Sequence, residues 1–114
     1  MIFNYYHILN LKNNKEYIGI TEKTVEVRFA QHKKSLKANN HANYLLQKDW
    51  NDYEEKDFLF ELLETLEFES LEEGYDYEAK LIQNSKNQLY NLALGVLINP
   101  IYSYPVKEKM IKTK

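Results

Sequence analysis

The chain of 114 residues is long enough for one domain with a single modest core and too short for two. It contains no cysteine, which excludes disulfide bonds and thiolate metal sites and fits a reducing interior. Its apolar runs are far shorter than a membrane span and the N-terminus does not have the form of a signal peptide. We therefore expect a cytoplasmic protein without a membrane anchor.

The formal net charge of −2 conceals a division along the chain. Residues 1–50 carry a net charge of +4, residues 51–78 carry −11, and residues 79–114 carry +5. Basic flanks on both sides of an acidic middle are compatible with nucleic acid bound on one face. Charge alone fits equally well with lysines and glutamates that only solvate helices.

The first half of the chain predicts a β-hairpin followed by two helices. Residues 2–11 are rich in β-branched and aromatic side chains and predict a strand. A polar turn, Lys12–Lys15, connects it to a returning strand, Glu16–Ile20. Helical periodicity then predicts a helix over Val25–Lys37 and a second, shorter one over about residues 42–53.

The first of these helices carries one apolar stripe and one conspicuous pair. The stripe consists of Val25, Phe29, His32 and Leu36. Arg28, the only arginine of the chain, lies beside the stripe and four residues before His32. Residues four apart on a helix are neighbours, so these two side chains can reach a common location.

The second half predicts a strand and then a helix. Alternating phenylalanines at 58 and 60 favour a strand over residues 57–65. Ser70 followed three residues later by Glu73 has the form of a capping box and predicts a helix that runs to about Asn84. We expect its buried stripe to consist of Leu71, Tyr75, Ala79 and Ile82.

Glu78 lies on the same predicted face as that stripe. A carboxylate among core-facing residues is costly unless it is paired or binds a metal ion. Glu78 therefore needs a partner, unless it reaches a solvated edge or pairs with a lysine.

The C-terminal residues predict no regular element. Pro100 and Pro105 interrupt the apolar run that follows Gly95. The last nine residues contain four lysines and are expected to form a frayed basic tail, with nucleic-acid contact as the alternative. We therefore assign residues 1–97 to one domain and residues 98–114 to a C-terminal extension.

A set of side chains in a fixed order resembles the site of the GIY-YIG nuclease family. The set consists of Tyr6, Tyr17, Arg28, His32, Glu78 and Asn91. The second motif of the family is intact as Tyr17-Ile18-Gly19, and the arginine and histidine follow at the family's spacing. The segments NYLLQKDWNDY, DFLFELLE, YEAKLIQ and LYNLALG extend the resemblance over about residues 3–95 and indicate the phage and intron-homing branch. In the first motif, Asn4-Tyr5-Tyr6 stands in place of Gly-Ile-Tyr, so asparagine occupies the position where glycine is usual.

The resemblance implies an α+β fold with a small, three-stranded, mainly antiparallel sheet flanked by helices. It also implies a metal-dependent endonuclease that hydrolyses phosphodiester bonds in DNA, of the phage or mobile-element type. One divalent ion held by Glu78 is expected to be Mg²⁺ or Mn²⁺, since hard cations prefer carboxylate and water ligands.

Each side chain of the set then has an expected role. Arg28 can fork onto a phosphate. The resemblance assigns general-base work to the tyrosine pair, with Tyr17 the first choice. His32 either relays that proton or binds phosphate, and Asn91 orients the site. Two further histidines, His7 and His41, match no motif position and are predicted to be ordinary strand and loop residues.

Two other functions stay open at this point. The chain is either an active nuclease, or a catalytically weak or inactive nucleic-acid-binding module of the same fold, or a protein-interaction domain with tyrosines in its core. The homing relatives attach separate DNA-binding modules, and we find no such segment in this sequence. Specificity would then come from a shallow sequence preference, from a homodimer or from a separate targeting protein.

Overall fold

The computed structural model describes residues 1–91, and the sheet starts with the predicted hairpin. β1 (Ile2–Asn10) pairs antiparallel with β2 (Lys15–Thr21). Asn14 in the connecting turn adopts a φ of 62°, a conformation that asparagine tolerates better than most residues.

Two helices follow the hairpin, and both begin at a side-chain cap. α1 (Val25–Lys37) has the predicted bounds and starts at Thr24, whose hydroxyl accepts a hydrogen bond from the backbone of Val27. α2 (Tyr44–Asp52) starts at Asn43, whose side chain accepts from the backbone of Leu46. A short 3₁₀ turn then leads into β3 (Phe58–Glu67).

The sheet is completed by β4 (Gln88–Leu89), which pairs parallel with the start of β2 and adds a fourth strand to the three that were predicted. The strand order is β3-β1-β2-β4, which places β1 inside the sheet. β3 is antiparallel to β1, with a register shift between Tyr5 and Tyr6. The prediction of an α+β fold with a mainly antiparallel sheet is confirmed.

Alternation along β1 divides the packing between the two faces of the sheet. On one face, Ile8 forms a buried cluster with Leu36 of α1, Leu46 of α2, Phe58 and Tyr90. This face carries Tyr6 as well, because residues two apart on a strand share a face. The opposite face packs Phe3 and Tyr5 against the last helix.

The predicted buried stripe of that helix, α3 (Leu71–Asn84), is wrong. Leu71 is 43% exposed and Tyr75 is 52% exposed, and Ala79 is exposed as well. α3 instead turns the buried Gly74 toward the ring of Phe3, which lies too close for any added Cβ. Gly74 has no side chain, so α3 can approach the Phe3 ring closely, and this contact decides which face of the helix is buried. Hydrophobic periodicity cannot predict a contact made by a glycine.

The close approach is fixed by polar and aromatic contacts with Tyr5. Its hydroxyl donates a 2.8 Å hydrogen bond to the carbonyl of Gly74. Its ring lies edge-on to that of Tyr77, with 5.1 Å between the centroids. α3 is thereby held against the sheet through residues that were not part of the predicted stripe.

Within residues 1–91 no helix has the length and apolar character needed to cross a bilayer. The predicted C-terminal extension, residues 98–114, lies outside the described residues, as do Gly95 and both prolines.

Candidate active site

The hydroxyl of Tyr6 is the point at which the sheet and α1 meet. It accepts a hydrogen bond from Arg28 Nε at 3.1 Å and lies 2.7 Å from His32 Nε2. The side chains of Tyr6 and His32 are almost completely buried. The arginine and histidine, four residues apart on α1, thus converge on one atom of the first-motif tyrosine.

A chain of hydrogen bonds fixes which nitrogen of each histidine carries a proton. The backbone N–H of Asn43 donates to His41 Nδ1 at 3.0 Å. The other nitrogen of a neutral His41 ring is therefore the donor, and it contacts His32 Nδ1 at 2.7 Å. His32 must then donate from Nε2 to Tyr6. The tyrosine oxygen accepts two N–H groups, which leaves its own proton available for donation.

The titration of these groups is shifted by their surroundings. Burial, followed by the neighbouring Arg28 and His41, lowers the pKa of His32 to about 3. Burial, together with Arg28, also lowers the pKa of His41. Both rings are therefore neutral at physiological pH, as the hydrogen-bond chain requires.

Both motif tyrosines are protonated at neutral pH. Burial and then the neighbouring Tyr17 raise the pKa of Tyr6, and the bond from Arg28 opposes them. Burial and then the carboxyl of Glu78 raise the pKa of Tyr17 to about 12. Either phenol must lose its own proton before it can accept another, and additional positive charge beside it would favour that loss.

The glycine of the second motif makes room for Tyr6. Gly19 lies directly opposite Tyr6 in the β1–β2 ladder. A Cβ at this position would fall closer than 3.0 Å to three atoms of the Tyr6 side chain. The two motifs are therefore linked by shape, because the phenol of the first occupies the space that a side chain in the second would need.

We expect Gly19→Ala to displace the Tyr6 hydroxyl and to lower the DNA cleavage that the resemblance implies about 100-fold, since small misplacements in a reacting geometry are that costly. Overpacking is also expected to lower the free energy of unfolding by about 1–3 kcal/mol. Urea denaturation and single-turnover cleavage measure the two effects. Gly74→Ala overpacks the other side of the sheet against Phe3 and is the control for stability. A folded Gly19→Ala protein with wild-type specific activity would contradict the expectation.

Glu78 lies half-buried on the inner side of α3. Among residues 1–91 it takes part in none of the side-chain hydrogen bonds or ion pairs. Burial raises the pKa of Glu78 to about 8. Its charge raises the pKa of both motif tyrosines and of Tyr5.

Asn91 supports the second motif from the edge of the sheet. Its side chain accepts a hydrogen bond from the Ile18 N–H at 2.9 Å and donates to the Ile18 carbonyl at 2.8 Å. It thereby satisfies the backbone of β2 where β4 has ended. The preceding Tyr90 is anchored by donating to Asp49 at 2.7 Å. Asn91 has the contacts of a scaffold residue.

A cavity of about 220 Å³ opens beside Arg28, between α1 and the segment that precedes α2. It is lined by Tyr17, Arg28, Gln31, His32, Ser35, His41, Ala42 and Asn43. Arg28 therefore donates to Tyr6 through Nε and also lines the cavity.

Two predictions about histidines are wrong. His41 is not an ordinary loop residue, because its ring stacks on that of His32 with 5.0 Å between centroids. His7 is not an ordinary strand residue, because it is buried between the carboxylates of Glu16 and Glu61 on the opposite face of the sheet. The position of His41 two residues before the cap of α2 was the only available signal, and it does not specify a partner.

We expect His41→Ala to lower the single-turnover rate of the cleavage that the resemblance implies about tenfold, because supporting hydrogen bonds of this kind typically contribute that much. Without His41, no other side chain among residues 1–91 makes a hydrogen bond to His32 Nδ1, so ¹⁵N shifts of the His32 ring should report a mixture of tautomers. Tyr44→Ala serves as control, since Tyr44 is 64% exposed at the start of the adjacent helix. An unchanged rate with an unchanged His32 spectrum would rule the relay out.

Comparison with known proteins shows which family the chain resembles in sequence and structure. The family model of the GIY-YIG catalytic domain matches residues 3–91. The catalytic domain of homing endonuclease I-TevI is 30% identical over 75% of this chain and 94% of that one, with a TM-score of 0.66. A glutamate-to-alanine mutant of the catalytic domain of intron endonuclease I-TevI is 29% identical over 77% and 91%, with a TM-score of 0.61. No curated protein matches the chain. The matched span includes every residue of the candidate site.

Proposed function

The chain belongs to the GIY-YIG nuclease family, and on that premise we propose that it is a metal-dependent endonuclease that hydrolyses phosphodiester bonds in DNA. The observation that carries the proposal is the convergence of Arg28 and His32 on the Tyr6 hydroxyl at the edge of an open cavity. We further propose that the enzyme is of the phage or mobile-element type, as its similarity to a homing endonuclease domain suggests.

The residues of the cleft fit a divalent ion that is shared with the substrate. Within residues 1–91 no group of three or more His, Cys, Asp or Glu side chains could enclose a metal ion. Mg²⁺ does not require such an enclosure, because it is commonly held by one or two carboxylates together with waters and substrate phosphates. The half-buried carboxyl of Glu78 is the ligand we propose for Mg²⁺ or Mn²⁺. When bound, the ion would polarise the phosphoryl group and stabilise the leaving oxygen.

Arg28 is held in a way that presents it to a phosphate. Its Nε donates to Tyr6, and its Nη1 donates to the side chain of Gln31 at 3.2 Å. Arg28 lines the cavity, where the guanidinium donors not used in these two bonds can bind phosphoryl oxygens as negative charge builds on them.

The two tyrosines and His32 would carry out the proton transfers. We propose Tyr17, which lines the cavity, as the group that accepts the proton of the attacking water. Because its pKa of about 12 keeps Tyr17 protonated at neutral pH, a cation bound at the site would first have to favour loss of the phenol proton to solvent, and the resulting phenolate would then accept the proton of the water. Tyr6 and the neutral His32 form the adjoining donor chain, and Asn91 keeps the Tyr17 strand in place.

Plasmid nicking in the presence of Mg²⁺ tests the proposal, and EDTA should abolish it. Retention of DNA without nicking would instead indicate an inactive binding module. Absence of DNA retention even at low salt, where phosphate contacts are strongest, would indicate a protein-interaction domain. Sedimentation of the protein with and without DNA would separate a homodimer from a monomer that depends on a separate targeting protein.

A further inference from the structure

Asn4 makes two side-chain hydrogen bonds that the usual glycine of the first motif cannot make. Its Nδ2 donates to the carbonyl of Lys23 at 2.9 Å. Its Oδ1 accepts a hydrogen bond from the Thr65 hydroxyl at 2.7 Å. One side chain on the central strand β1 therefore connects the edge strand β3 to the segment between β2 and α1.

That segment leads directly into the helix that carries Arg28. Lys23 is the residue before Thr24, the cap of α1, and its own N–H donates to the Thr21 hydroxyl at 3.0 Å. The carbonyl of Thr24 accepts the N–H of Arg28 at 3.2 Å. Arg28 is thus in the first turn of α1, where the position of the backbone depends on how the cap is held.

We propose that Asn4 is a positioning residue that holds the start of α1 so that Arg28 reaches the Tyr6 hydroxyl. Asn4 and Tyr6 share a face of β1. The same strand therefore supplies the Tyr6 hydroxyl, which accepts the bond from Arg28, and the Asn4 side chain, which holds the segment before α1. The departure from the family pattern is then compensated within this chain. Restoring glycine at this position would loosen the site.

The consequence for activity rests on the proposed function, whereas the consequence for Arg28 does not. Because the chain has a single arginine, the Arg28 Nε–H gives one resonance in a ¹H–¹⁵N spectrum of the whole protein. Its bond to Tyr6 should slow the exchange of this proton with water. The exchange rate therefore reports the placement of Arg28 without any cleavage assay.

The first experiment measures that rate in the full chain. We expect Asn4→Gly and Asn4→Ala to speed the exchange about tenfold and Thr65→Val, which removes only the donor to Asn4, to have a smaller effect of the same sign. Tyr6→Phe removes the acceptor and gives the upper limit. Asn13→Ala is the matched control, because it also removes two side-chain hydrogen bonds, one to Asp49 and one from the Lys15 N–H, in the turn at the other end of β1. Wild-type exchange in both Asn4 variants would overturn the proposal, whether or not the protein cleaves DNA.

The second experiment tests whether the effect passes through Arg28. We expect Asn4→Gly to lower kcat about fivefold with KM unchanged, the loss corresponding to one lost hydrogen bond. In an Arg28→Lys background, Asn4→Gly should not lower kcat further, because the guanidinium that Asn4 positions is absent. An equal fivefold loss in both backgrounds would overturn the proposal in favour of a general structural role for Asn4.

Discussion

Replacing Arg28 by alanine is expected to lower the single-turnover rate of DNA cleavage by about 1,000-fold, the typical loss when a preorganised donor to a transferring phosphoryl group is removed. Two contributions disappear together. The guanidinium is the cation that faces the cavity, and its Nε is one of the two donors to Tyr6. Arg28→Lys should recover little of the rate, because an ammonium group keeps the charge but not the planar fork.

The measurement is cleavage of a labelled duplex or plasmid at saturating protein, with thermal unfolding to verify that the variant is folded. Lys34→Ala is the matched control, since it removes one positive charge from an exposed position of the same helix. Its effect should be small and should fade as salt is raised. If Arg28→Ala cleaved as fast as Lys34→Ala, the guanidinium would have no role in the reaction.

The helix starts could be predicted from sequence because they depend on local chemistry. Thr24 and Ser70 each place a hydroxyl before a helical segment, and both cap a helix in the structure. The same local reasoning gave the α1 stripe, whose His32 and Leu36 are buried. The α3 stripe failed because its buried face is set by the fit of Gly74 against Phe3.

In the candidate site, too, local features could be predicted from the sequence and tertiary contacts could not. The proximity of Arg28 and His32 could be predicted because the two residues are four apart on one helix, which is about one turn. His41 could not, because its distance from His32 depends on how α2 docks on α1, through contacts such as that of Gln47 with the Leu36 carbonyl. Asn4 was recognised only as a departure from a motif, since its partners are 19 and 61 residues away.

Glu78→Gln is expected to abolish metal-dependent cleavage and at the same time stabilise the fold. Burial raises the pKa of the carboxyl from its ordinary value of 4.5 to about 8. Between these two pH values the folded protein holds a proton that the unfolded chain has lost, so the contribution of Glu78 to stability falls as pH rises. A neutral glutamine does not incur this loss. At pH 8.5 we expect the variant to exceed wild type by about 2 kcal/mol in free energy of unfolding, and at pH 4 by almost nothing.

The same titration sets the pH dependence of Mg²⁺ binding. Since only the ionised carboxylate binds the cation, the affinity of the wild-type protein should rise about tenfold per pH unit below the pKa and level off above about pH 8. Urea denaturation across pH and Mg²⁺ titration by calorimetry measure the two effects separately. Glu72→Gln, at an exposed position of the same helix, is the control and should change neither profile. If the stability difference between wild type and Glu78→Gln were independent of pH, the pKa of Glu78 would be the same in the folded and unfolded states, and the carboxylate, already ionised at pH 6, would bind Mg²⁺ with equal affinity at pH 6 and pH 8.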